Sequence, residues 1–94
     1  DLKAKQADAY DFGPFELNAL GYELLEMKRT KDAIEIFKLN TKAHPQVANA
    51  WDSLAEAYMR NGDKELAIKN YAKALEMNPS NRRAVDQLKK LMEN

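Results

Sequence analysis

The sequence lacks several residue types that common functional sites require. Its 94 residues include no cysteine, which excludes disulfides, thiolate nucleophiles and zinc–thiolate sites. The three glycines lie at positions 13, 21 and 62, so no Gly-rich phosphate loop can form. The single histidine, His44, precedes Pro45 without a neighbouring nucleophile or orienting acid. We therefore expect no cofactor and no metal site, and His44 is interpreted as an ordinary loop residue.

The sequence also lacks an excess of charge of one sign and a long apolar run. Its 15 basic and 15 acidic residues cancel and are interspersed, so we expect neither nucleic acid nor a membrane surface as partner. No segment approaches the roughly 18 to 20 consecutive apolar residues of a membrane span. The sequence predicts a soluble chain and leaves its compartment open between the cytoplasm and a bacterial periplasm.

Residues of the same kind recur at a spacing of 34 along the chain. The eight matched pairs are Leu17 and Trp51, Leu20 and Leu54, Gly21 and Ala55, Leu24 and Tyr58, Ala33 and Ala67, Phe37 and Tyr71, Asn40 and Ala74, and Pro45 and Pro79. A fixed period of this length is typical of stacked supersecondary units. The period therefore predicts a repeat protein and favours binding over catalysis.

Within each period the apolar residues follow helical spacing, which predicts a pair of helices per unit. The predicted division is a linker or short N-terminal helix over 1–13, a first repeat over 14–47, a second repeat over 48–81 and a C-terminal capping helix over 82–94. The last helix is predicted to be a cap because Lys89 stands where Gly21 and Ala55 let two helices approach closely. The N-terminal segment offers Leu2, Tyr10 and Phe12 to cover the open side of the first repeat.

The second unit carries the string Trp51-x-x-Leu54-Ala55-x-x-Tyr58, followed by Ala67, Tyr71, Ala74 and Pro79. This string resembles the tetratricopeptide repeat at every signature position. The first unit resembles it more loosely, because Asn40 stands where a small residue is expected. The resemblance covers about residues 14–93. It implies an all-α fold, a right-handed α-α superhelix of tandem helical hairpins closed by a capping helix.

A second resemblance concerns the particular residues within the repeats, beyond the signature positions. The strings Leu17-Asn18-Ala19-Leu20-Gly21-Tyr22 and Gly62-Asp63-Lys64-Glu65-Leu66-Ala67-Ile68 look like the paired repeats in the C-terminal tails of bacterial serine hydrolases. This resemblance implies an alternative function, a structural or self-association appendage of a larger bacterial hydrolase that binds no peptide. Its partner would then be an upstream domain of its own parent chain or a second copy.

Several local features of the repeats can be predicted. Lys28 aligns with Gly62 in the turn between paired helices, where the resemblance implies a positive φ. Thr30 is expected to cap the helix that follows this turn. Trp51 and Tyr58 are interpreted as core residues between the two helices of the second repeat.

The first helices of the units are expected to form a concave groove. The predicted groove residues are Asn18, Tyr22, Asn49, Asp52, Glu56, Arg60, Arg83 and Asp86. Leu25 is expected on the same stripe of the first helix. Amides, carboxylates, cations and a tyrosine can together hold an extended or helical peptide. The sequence therefore predicts a protein–protein interaction module that binds a peptide or protein segment in this groove.

Two sharper functions are not expected. Some tetratricopeptide domains grip the C-terminal carboxylate of chaperones with a set of Lys, Asn and Arg side chains. The matching positions here are Asn18, Tyr22, Ser53, Arg83 and Gln87. Only Arg83 keeps the chemistry of that clamp.

Ser53 lies beside Asp52 but lacks the strained Gly-x-Ser-x-Gly turn of a nucleophile, and the chain is predicted not to be an enzyme.

Overall fold

The computed structural model describes residues 12–93, which contain five α-helices and no strand. The helices are α1 (Pro14–Glu26), α2 (Thr30–Ala43), α3 (Ala48–Arg60), α4 (Lys64–Met77) and α5 (Arg82–Met92). Each helix packs against the next one along the chain, and α1 also contacts α3. The predicted all-α repeat fold is therefore confirmed. The expected linker or short helix lies almost wholly outside the described residues.

Local sequence explains where the helices begin. Pro14 opens α1, and the Glu16 carboxylate accepts a hydrogen bond of 2.7 Å from the Gly13 N–H. Asn81 caps α5, since its Oδ1 accepts a hydrogen bond of 3.0 Å from the Ala84 N–H. The expected cap at Thr30 is wrong by one residue. Arg29 precedes α2 and already accepts the first helical bond, from the Ala33 N–H at 3.0 Å, so Thr30 lies inside the helix.

The turn after α1 and the turn after α3 end their helices in the same way. Lys28 has φ 62° and Gly62 has φ 87°, which confirms the predicted left-handed position in each turn. The following N–H reaches back to the last helical turn, from Arg29 to the Leu24 carbonyl and from Asp63 to the Tyr58 carbonyl, both at 2.9 Å. These bonds define a Schellman motif at each helix end.

The main core lies between α1, α2 and α3. Its buried residues are Leu17, Leu24, Leu25, Ala33, Ile34, Ile36, Phe37, Leu54 and Ala57. Phe12 packs against this cluster, as expected. Asn40, the residue that departs from the repeat pattern, is buried and donates a hydrogen bond of 3.2 Å to the Pro14 carbonyl, which ties α2 to the start of α1.

Two expectations about burial are wrong. Leu25 was expected to face the groove but is only 5% exposed. It belongs to the main core, together with Leu54 and Ala57 of α3, which lies against α1. Trp51 is half-buried and lies outside the two buried clusters. Its indole N–H donates a hydrogen bond of 2.9 Å to the Pro45 carbonyl at the surface. Tyr58 is also half-buried, although it packs against the main core.

The second cluster joins α3, α4 and α5. Ala55, Tyr71 and Ala84 are its fully buried members, and Leu75 and Leu88 pack around them. Within residues 12–93 no helix combines the length and the apolar character needed to cross a membrane. The stack of alternating helices leaves one edge of α1, α3 and α5 uncovered, and this edge carries the candidate site.

Candidate functional site

Six of the eight predicted groove residues meet in one hydrogen-bonded network across α1, α3 and α5. We call the face that carries the network the inner surface; its members are Asn18, Tyr22, Asp52, Glu56, Arg60 and Arg83, with Ser53 and Asn81. The other two predicted residues, Asn49 and Asp86, are exposed on α3 and α5. Neither forms a hydrogen bond with the network in the described part of the chain.

Glu56 lies at the centre of the network. Its Oε1 accepts a hydrogen bond of 2.8 Å from the Tyr22 hydroxyl, and Arg83 Nη1 lies 3.4 Å from the same oxygen. Its Oε2 accepts a hydrogen bond of 2.8 Å from Arg60 Nη2, one turn further along α3. One carboxylate on α3 thus links a phenol from α1 with a guanidinium from α5.

Asp52 is the buried carboxylate of the network. Its side chain is only 5% exposed, and Arg83 Nη2 lies 2.7 Å from its Oδ1. Its Oδ2 accepts a hydrogen bond of 3.2 Å from the Asn81 amide. A buried carboxylate is stable only when its oxygens are paired in this way. The structure therefore places Asp52 beneath the surface, where it holds Arg83 in position.

Ser53 and Asn18 form a second link between α1 and α3. The Ser53 hydroxyl donates a hydrogen bond of 2.5 Å to Asn18 Oδ1, and Ser53 is 1% exposed. In the sequence, Ser53 stands out only at a clamp position and beside Asp52, and no local pattern indicates that Asn81 belongs to the site. Neither partner could be read from local spacing, because the contacts join residues 35 and 29 positions apart.

The environment fixes the protonation states of the network. Burial raises the pKa of Tyr22 to about 12, and the hydrogen bond to Glu56 also raises it, while the Ser53 hydroxyl lowers it. Burial alone would lower the pKa of Arg83, but the charges of Asp52 and Glu56 raise it above its ordinary value. Tyr22 is therefore a neutral hydrogen-bond donor and Arg83 a permanent cation at neutral pH.

The charges of the network balance. Two carboxylates, Asp52 and Glu56, face two guanidinium groups, Arg60 and Arg83. Ser53 donates to an amide and not to an imidazole, and the His44 ring lies 3.0 Å from the Phe12 carbonyl. Among the described residues no group of three potential ligands could hold a metal ion. The inner surface therefore presents polar groups whose charges are already paired with one another.

The comparisons with known proteins address the repeat first. Residues 48–81 match the family model described as "Tetratricopeptide repeat". This match covers the second predicted repeat. Over 59 residues it is 34% identical to the human "Superkiller complex protein 3", and over 55 residues it is 34% identical to the mouse protein of that name. These matches cover 63% and 58% of this chain, which spans about 4% of the length of each relative.

A solved structure extends the likeness to the whole fold. The first TPR of Spaghetti (RPAP3), bound to the HSP90 peptide SRMEEVD, superposes with a TM-score of 0.84 at 23% identity. The superposition covers 97% of this chain and 72% of that one. At this identity the likeness establishes the fold, which is that of a tetratricopeptide repeat domain. The mammalian relatives lend no support to the expected bacterial origin.

Proposed function

We propose that this tetratricopeptide repeat domain binds a peptide or protein segment on its inner surface, without enzymatic activity of its own. The observation that carries the proposal is the network centred on Glu56, which aligns polar side chains from α1, α3 and α5 along one face. The structurally similar Spaghetti domain was solved with a bound peptide, which supports a protein-interaction role for this fold in general.

The contacts within the network determine what the inner surface can offer a partner. The carboxylates of Asp52 and Glu56 are occupied, so few acceptors remain. Arg60 and Arg83 are half exposed and keep N–H groups directed away from their carboxylate partners. Asn18 uses its oxygen for Ser53 and keeps its amide N–H groups. We infer a partner that presents acceptors, such as the backbone carbonyls of an extended segment.

Charge should contribute little to this binding. The two guanidinium groups are already neutralised by the two carboxylates, so an anionic peptide gains little long-range attraction. We therefore expect the peptide SRMEEVD, the ligand in the Spaghetti structure, to bind this domain weakly. Isothermal titration with that peptide and with an amidated version would test whether a terminal carboxylate matters here.

Alanine substitution of Tyr22, Asn49 and Glu56 together provides the direct test of the inner surface. Capture of partner proteins by the immobilised domain should fall strongly, because the central acceptor and its donor are both lost. A matched control replaces three exposed residues on α2 and α4, Lys31, Glu65 and Glu76, with alanine. Circular dichroism checks that both variants remain folded. Equal capture by the wild type and the triple variant would refute the assignment of the groove.

A second candidate function is packing or self-association at the α4–α5 end of the stack. An open apolar cleft of about 450 Å³ lies there, lined by Leu75, Val85, Leu88 and Met92, and Met92 is 65% exposed. Apolar surface of this kind favours a second copy or a parent domain as partner. Sedimentation would show concentration-dependent association that Met92→Glu abolishes. A monomer at high concentration would count against the self-association version.

A further inference from the structure

A second groove lies between α2 and α4, on the side of the molecule that the network does not use. Its floor is α3, through Trp51, Leu54 and Tyr58, and its walls include Leu39 of α2 and Leu66 of α4. The groove has a volume of about 450 Å³. Glu56 follows Trp51 by five residues, which places the two side chains about 140° apart around α3. A ligand in this groove therefore would not touch the inner surface.

The groove combines an apolar floor with a basic rim. Lys38, Lys42 and Lys69 line it together with one acidic residue, Glu35. Glu35 lies 3.8 Å from Lys38, which neutralises one of the three lysines. No salt bridge pairs Lys42 or Lys69 within residues 12–93. The chain as a whole has no net charge, so this local positive excess is a property of the groove.

The aromatic part of the groove is held in place before any ligand arrives. The Trp51 indole N–H is used by the Pro45 carbonyl, and the Lys73 ammonium lies 5.8 Å from the centre of the Trp51 ring. The ring therefore offers apolar surface rather than a free donor. Leu66 remains 42% exposed and adds apolar surface to the wall of the groove.

We propose that this lysine-rimmed groove is a second docking site, for an acidic amphipathic segment of a partner protein. Apolar side chains of the segment would lie against Trp51 on the floor and against Leu39 and Leu66 on the walls, and its carboxylates would pair with Lys42 and Lys69. Charge complementarity selects an acidic segment over a basic one. Leu39 and Leu66 on the walls add aliphatic contacts that favour a protein segment, whereas a nucleic acid would rely on stacking against Trp51 and Tyr58 and on its phosphates.

Trp51 is the only tryptophan, so its fluorescence reports on this groove directly. The probe is a short Trp-free peptide with leucines at helical positions i, i+3, i+4 and i+7 and glutamates elsewhere; a second peptide carries lysine in place of every glutamate. Titration with the acidic peptide should shift the Trp51 emission to the blue, with an affinity that falls as salt is added. The lysine peptide should bind at least about tenfold more weakly.

Two variants locate the binding. Lys42→Glu combined with Lys69→Glu should weaken the acidic peptide by about tenfold or more, and Leu66→Ser should also weaken it. The matched control, Lys31→Glu combined with Lys90→Glu, changes the total charge equally at exposed sites outside the groove and should leave the affinity unchanged. Circular dichroism checks the fold of every variant.

Three outcomes of the peptide titrations would overturn the proposal. They are an unchanged Trp51 emission with the acidic peptide, equal affinity for the acidic and basic peptides, and equal weakening by the groove variant and its control. Displacement of the acidic peptide by an oligouridylate would also overturn it, since the groove would then recognise phosphate. Tyr22→Ala should not alter this titration, so the result is independent of the function proposed for the inner surface.

Discussion

Lys28 is a residue whose backbone conformation conflicts with its side chain. Its φ of 62° places it in the left-handed region, where a residue with a Cβ is about 1–2 kcal/mol less stable than glycine. The equivalent residue of the second turn is Gly62, with φ 87°. Both turns form the same Schellman bonds, so the strain at Lys28 arises from its identity and not from a different turn.

Lys28→Gly should therefore stabilise the domain. Glycine loses more conformational freedom on folding, which offsets part of the relieved strain and leaves a net gain of about 0.5–1 kcal/mol. The reciprocal control is Gly62→Ala, which meets no atom within 4 Å and should cost about the same amount through backbone strain alone. Chemical denaturation measures both. A Lys28→Gly domain no more stable than the wild type would contradict the turn interpretation.

Tyr22 couples the stability of the domain to alkaline pH. Burial raises its pKa to about 12 in the folded state, against an ordinary value of 10.0 in the unfolded chain. Below pH 10 the phenol is protonated in both states, and its contribution to stability is complete. As the pH rises from about 10 to about 12, only the unfolded chain releases the proton, so the free energy of unfolding falls.

Tyr22→Phe removes this titration along with the hydrogen bond to Glu56. The wild type should be more stable than Tyr22→Phe at neutral pH, by about 1 kcal/mol for one hydrogen bond. This advantage should shrink as the pH rises through the window between about 10 and 12. Paired denaturation curves at successive pH values measure the difference. A difference that stays constant across the window would show that the Tyr22 phenol titrates alike in both states.

At the scale of the elements, α1 and α2 approach each other closely at Gly21. A Cβ added to Gly21 would lie 2.7 Å from Phe37 Cδ1 and closer still to Cε1 and Cζ. Phe37 is fully buried and contacts the Tyr22 ring edge to face at 5.3 Å, so it has no room to move away. Gly21 is therefore required by packing, although glycine weakens a helix interior.

Gly21→Ala should destabilise the domain despite the better helix propensity of alanine. Propensity alone would favour alanine by about 1 kcal/mol, whereas overpacking against Phe37 costs about 1–3 kcal/mol. We expect a net loss of up to about 2 kcal/mol, partly restored by Phe37→Leu in the same chain. Ala19→Gly, at an exposed position of α1, measures the propensity term separately. A stabilised Gly21→Ala would show that α1 and α2 can separate freely.

The elements could be predicted because their causes are local. Helical spacing located the five helices, and the alignment of Lys28 with Gly62 predicted the left-handed turn that the structure confirms. Burial was less predictable where one unit meets another. Leu25 is covered by α3, and Trp51 is held at the surface by its bond to the Pro45 carbonyl. Neither contact can be predicted from the spacing of apolar residues.

At the scale of the whole molecule, the inner surface depends on how the units stack. The sequence predicted which residues would share this face, and six of them meet there. It did not predict that Asp52 is buried and paired with Arg83, or that Glu56 joins Tyr22 to Arg83. These contacts require α1, α3 and α5 to stand at fixed distances, which the twist between successive repeats determines.

The stacking contacts should make the domain unfold as one unit. The stability of a repeat protein is the sum of its units and their interfaces, and here α2 packs on α3 and α4 on α5. Trp51 fluorescence reports the second unit, and ellipticity reports all helices. The two denaturation curves of the wild type should therefore coincide. Wild-type midpoints that differ between the two probes would show that the units unfold independently.

Arg83→Met tests whether the α3–α5 contact stabilises the whole molecule. It leaves the Asp52 carboxylate buried without its cation, which should cost about 1–3 kcal/mol. Both probes should shift together, because loss of α5 packing destabilises α3 and α4 as well. The matched control is Arg29→Met, which breaks the Arg29–Asp32 pair of 2.6 Å at an exposed site and should cost less than about 1 kcal/mol. A shift in ellipticity alone would show that α5 unfolds separately from the repeats it covers.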